Sequence, residues 1–154
     1  MKNLASKLAM ALLLMATAEV GTFGQQFVVQ ITDPPRDGTP VGKGMAVTGK
    51  ATVPNGYHLW ILTRRIDFDG VWWPQGEAKI DPVTREWRVG VTFGQEEDIK
   101  WDFQLAAMVF NEEGHIILDE YRKKALKSGD WKPIEIPETA APPQIIKVKK
   151  INHR

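Results

Sequence analysis

Cysteine is absent from this chain of 154 residues. That excludes disulfides, thiolate metal sites and a lipid-modified cysteine at a cleavage point. An excess of charge of one sign is missing too, with 20 Lys and Arg against 19 Asp and Glu and a formal charge of +1. A near-neutral chain lacks the electrostatic footprint of a nucleic-acid binder, so nucleic acid is not an expected partner. No apolar run reaches the about 20 residues that a membrane-spanning helix needs. Serine is scarce as well. Beyond the first 24 residues only Ser128 remains.

What is present begins with a processing signal. Lys2 and Lys7 flank an apolar run from Leu8 to Ala18 that ends in Ala16-Thr17-Ala18. A positive start, a short apolar stretch and a small-residue end make a secretory signal peptide. An amphipathic or core helix is the competing reading, and the run disfavours it by being apolar all round. Residues 1–24 are therefore expected to be a leader, cleaved after Ala18 or after Gly24, with residues 25–154 as one mature domain. Export without cysteine suits a bacterial periplasmic or cell-surface protein. No membrane span is expected after cleavage.

The mature part reads as short strands separated by turn chemistry. Tyr57 to Ile66 is rich in aromatic, aliphatic and β-branched residues, which suits a buried strand. Val71 to Gln75 should be a partner strand. There the adjacent Trp72 and Trp73 must point to opposite faces, one to core and one to solvent. Gln25–Thr32, Met45–Val53, Glu86–Phe93 and Trp101–Phe110 complete the candidate strands, and both faces of the last are apolar, predicting cover on both sides. For residues 111–129, Asn111 as N-cap, Glu112 and Glu113 in the first turn, lysines in the last and Gly129 predict a helix. Ile117, Leu118, Tyr121 and Ala125 would share its inner face. The rival is a turn at Asn111–Gly114 followed by a strand at His115–Leu118. Pro133 to Pro143 is a connector, and Gln144–Ile151 is expected as a lysine-protected edge strand.

Ile31 to Val41 with its Pro and Asp-Gly turn, Val47-Thr-Gly-Lys-Ala51, Gly56 and Leu59-Trp-Ile61 resemble the opening strands of bacterial immunoglobulin-like domains. The resemblance covers roughly the first half of the mature chain. It implies an all-β, immunoglobulin-like Greek-key β-sandwich of about seven strands, with one short helix inserted before the last strand. It also implies a spacer or binding role. The paired cysteines of antibody-type domains are missing, so only the architecture carries over.

Catalytic sets are hard to find. His58, His115 and His153 fall in a strand, near a helix start and in the terminal tail, and nothing in their spacing brings them to a nucleophile. Asp67-Phe-Asp-Gly70 is similar to the opening of a calcium loop, but the later ligands are missing. No enzyme, cofactor or metal site is expected. The six tryptophans all lie in the mature domain. Trp60 and Trp87 read as core, and Trp101 and Trp131 as pins at the two helix ends. An exposed Trp72/Trp73 face, with Tyr57, Arg64 and Gln75 as polar neighbours, is the candidate ligand site, because a ring face can stack on a sugar. The expected function is a non-catalytic exported structural or protein-interaction module. The alternative is a carbohydrate-binding module for a cell-surface glycan.

Overall fold

The computed structural model describes residues 26–154, so the expected leader lies outside the described residues. Eight strands, a single 3-10 turn and one α-helix follow in order: β1 (Val28–Asp33), β2 (Thr39–Val41), β3 (Gly44–Thr52), β4 (Tyr57–Arg65), β5 (Trp73–Glu77), β6 (Glu86–Thr92), the 3-10 turn (Glu96–Asp98), β7 (Asp102–Asn111), α1 (Glu112–Ser128) and β8 (Gln144–Lys150). They form two sheets, β1-β3-β6 and β2-β8-β7-β4-β5. The result is a β-sandwich with a helix laid on the outer face of the larger sheet.

Period-two patterning explains why the sheets face each other. In β6, Trp87, Val89 and Val91 are buried while their neighbours are exposed. Opposite them stand Leu59 and Ile61 of β4 and Phe103, Leu105, Ala107 and Val109 of β7. The alternate residues, Trp60, Leu62, Ala106, Met108 and Phe110, form a second core with Trp72 and Leu118 of the helix. Both faces of β7 are thus covered, as its composition predicted.

The helix carries the predicted chemistry at both ends. Asn111 accepts a hydrogen bond from the Gly114 amide at 2.9 Å, and Gly129 closes the last turn in the left-handed region with φ 74°. The turn-and-strand alternative is not what forms. The buried face is Gly114, Leu118 and Ala125, whereas Ile117 points to solvent.

Two strand expectations are corrected. Gln144–Lys150 is no edge: β8 lies between β7 and β2, because Thr39–Val41 adds a short parallel strand outside it. A run of three residues around Pro40 carries too little pattern to be read as a strand. Likewise β5 starts at Trp73, and Trp72 makes only a bridge to Ile134 of the proline-rich connector, with paired bonds of 2.8 and 2.9 Å. The connector thereby becomes part of the helix-side cover, adding Ile134 and Ile136 to the second core.

Candidate functional site

The adjacent tryptophans do split between faces. Trp72 is 6% exposed in the core under the helix, with the Arg64 guanidinium 4.6 Å from its ring centre. Trp73 is paired with Thr63 across β4 and turns to the other side, where it lines a groove of about 510 Å³. The groove follows the seam between β5 of one sheet and β6 of the other. Phe68 meets Trp73 edge to face at 5.1 Å, and the Trp73 indole N–H donates to the Trp131 carbonyl at 2.9 Å. Trp131 is 43% exposed and stands against Tyr121 of the helix, at 6.4 Å between ring centres. Leu126, Phe103 and Pro74 extend the apolar lining.

Of the five residues expected to bind ligand, the groove gathers Trp73 and Gln75. Trp72 and Arg64 are elsewhere, stacked on each other. Tyr57 is half-buried and packs edge to face on Phe27 at 5.0 Å, against the inter-sheet core. Gln75 is committed to the fold: its amide donates to Thr63 Oγ1 at 3.0 Å and its carbonyl oxygen accepts from the Thr92 amide at 2.8 Å. This ties β4, β5 and β6 together at the groove floor. Trp131 pins the helix end as expected, but Trp101 does not. It stacks on Arg65 at 4.5 Å and stays 41% exposed.

Charged groups around the groove are mostly paired. Arg65 donates through Nε and Nη2 to Asp67 at 2.7 and 2.8 Å and through Nη1 to Asp98 at 2.5 Å. The hydrogen bonds that Arg65 donates to Asp67 outweigh desolvation and hold the guanidinium more firmly protonated than usual, while Asp67 is drawn below the ordinary carboxylate range. The two acids of the calcium-like stretch are thus drawn to different guanidinium groups, Asp67 to Arg65 and Asp69 to Arg64 at 3.8 Å. The second Asp98 oxygen accepts from the Gln95 amide at 2.6 Å.

A second cluster was missed from sequence. His58 and His115 stack at 3.7 Å with planes 9° apart. His58 Nδ1 meets Glu77 at 2.8 Å, and its Nε2 meets Glu112 at 2.8 Å. The available signal was Glu112 and His115, three apart at the start of a helix and hence on one side of it. His58, Glu77 and His115 place ligating atoms within 4.8 Å of one another, a donor set of the kind that holds zinc. The hydrogen bonds run against that use. Each His58 nitrogen already has a carboxylate partner, Glu77 at Nδ1 and Glu112 at Nε2. The Trp60 indole N–H donates to His115 Nδ1 at 3.1 Å, which leaves the His115 proton on Nε2. Parallel rings also cannot aim in-plane lone pairs at one ion between them. As arranged, the cluster is a clasp joining the start of α1 to β4 and β5.

Among the described residues no helix is long and apolar enough to cross a membrane. No protein-family model matches the chain. The search of curated proteins finds no match either. Among solved structures the chain is similar to murine CRIg, at 8% identity and a TM-score of 0.33, covering 81% of this chain and 98% of that one.

Proposed function

We propose that this chain is a non-catalytic, immunoglobulin-like binding module, exported to the periplasm or cell surface, that holds a glycan in the groove of Trp73, Phe68 and Trp131. The observation that carries the reading is the grouping of three partly exposed rings along one seam, two of them tied together by the Trp73-to-Trp131 bond. Rigid rings present a large apolar face at little conformational cost, and few convergent polar groups fix orientation. Export rests on the Lys2-to-Ala18 signal, and the lack of catalysis on Ser128, whose hydroxyl bonds its own helix at Lys124 O, 3.0 Å away.

Calorimetric titration with a panel of soluble polysaccharides tests the proposal. Binding by the wild type, lost in Trp73→Ala and Trp131→Ala but kept by a folded Tyr57→Phe control, is the expected result. Absence of binding across the panel rejects it. A second reading, a structural or protein-interaction module, rests on β1, which pairs with β3 alone and leaves Val28 exposed, since a sheet edge can receive a partner's strand, though Gln144 Oε1 already accepts from the Ile31 amide of that strand. A proline placed at Val28 would abolish partner binding on that reading and leave glycan binding intact.

A further inference from the structure

We propose that Arg122 makes the groove selective for acidic glycans, chains whose sugars carry carboxylates. The inference rests on the glycan-binding reading of the same groove and adds the chemical class of its ligand. Three charged side chains line the groove: Arg65, Asp98 and Arg122. The first two are committed, Arg65 to Asp67 and Asp98, and Asp98 to Arg65 and the Gln95 amide. Arg122 differs. Its Nε donates to the Gln75 carbonyl at 3.1 Å, which fixes the guanidinium against β5. No other hydrogen bond or ion pair engages it among the described residues.

The nearby acids are occupied. Asp119 pairs with Lys123 at 2.6 Å, and Glu77 is held by His58 and Lys79. A guanidinium has five donors in a planar fork, so anchoring Nε leaves the two terminal nitrogens to offer parallel N–H groups to a carboxylate. Arg65 is answered by two carboxylates, Asp67 and Asp98, so Arg122 is the one guanidinium of the lining without an acid partner among the described residues. Gln75 is no competitor for ligand, its amide being tied into the strands. The rings of Trp73 and Trp131 beside this charge favour a sugar acid, with a stacking face next to its carboxylate, over an acidic peptide.

Polygalacturonate and its methyl ester share a backbone and differ only in whether the carboxylate is free. We expect the full chain to bind polygalacturonate at least about tenfold more tightly than the ester at low salt, because the charge-assisted fork is lost on esterification. Added salt should narrow the gap. Arg122→Met should bring the acid down to the level of the ester, and Arg122→Lys should restore part of the difference, as a point charge without the fork. A melting temperature for each variant checks that it is folded. Equal binding of acid and ester by the wild type overturns the acid selectivity while the glycan reading stands. Binding of poly-glutamate as tight as that of polygalacturonate overturns both, and so does failure to bind either glycan together with the neutral panel.

Discussion

Trp72 and Trp73 are neighbours in sequence and opposites in role. Trp72 fills the space between β4, the helix and the connector, where it also receives the Arg64 cation. We predict that Trp72→Ala costs about 3–5 kcal/mol, as for other large-to-small core changes. Trp73→Ala removes a half-exposed ring and one hydrogen bond, so its cost should stay near about 1 kcal/mol. Urea denaturation of the two variants checks this, and a similar cost for both would place Trp73 in the core as well. The split itself was legible, because extended neighbours must diverge. Which ring went inward was not, since that depends on Ile134, some sixty residues away, pairing with Trp72. The same remoteness hid the fate of Arg64. Its stack on Trp72 and the engagement of Gln75 with Thr92 are long-range choices that a local pattern cannot carry.

At the scale of elements, the helix was the most legible part because its signals are local: a cap, a dipole-matched charge pattern and a closing glycine. Asn111→Ala should cost about 1 kcal/mol by leaving the Gly114 amide without its cap. Thermal melts of the variant measure it. What packs under that helix was less legible. Its inner face turned out to be Gly114, Leu118 and Ala125, where a small residue lets the helix start sit on Phe110; a Cβ at Gly114 would lie 3.1 Å from Phe110 Cβ. The histidine clasp makes a pH prediction. Burial pushes the Glu77 carboxyl up, but hydrogen bonds from Lys79 and His58 overcome this and leave it below its ordinary value of 4.5. A carboxylate with a depressed value in the folded state stabilises the fold above its ordinary pKa, and loses that contribution as pH falls through the folded one. Wild type should therefore exceed Glu77→Gln in stability at neutral pH. The gap should shrink as pH drops below 4.5. A constant gap from neutral to acid would show that the Glu77 charge has no part in it.

On the scale of the whole molecule, the groove is built from pieces far apart in the chain: the end of β4, the start of β5, the β6 strand with the loop after it, and the end of α1. No contiguous motif announces such a site, which is why the sequence pointed to a flat Trp72/Trp73 face and not to a seam between sheets. The loop from Phe93 to Asp98 has a further tether from the last strand. Lys150 is fully buried, and its ammonium donates to the carbonyls of Phe93, at 2.7 Å, and of Gln95. His153 Nδ1 lies 2.9 Å from the same nitrogen. Burial holds the Lys150 amine below its ordinary value, an effect that the acids of the loop offset only in part. Reading the sequence, this lysine looked like one more charge on a strand edge, whereas β2 beyond β8 encloses it. We predict that Lys150→Met destabilises the fold by about 1–3 kcal/mol for each carbonyl left without a donor. Glycan affinity should fall several-fold, because Gly94, Gln95 and Asp98 line the groove. Lys147→Met, a change at an exposed lysine three residues earlier, should alter neither. Melting temperature and titration of both variants decide the point: a Lys150→Met protein that melts lower but binds as wild type would mean that the tether serves the fold alone.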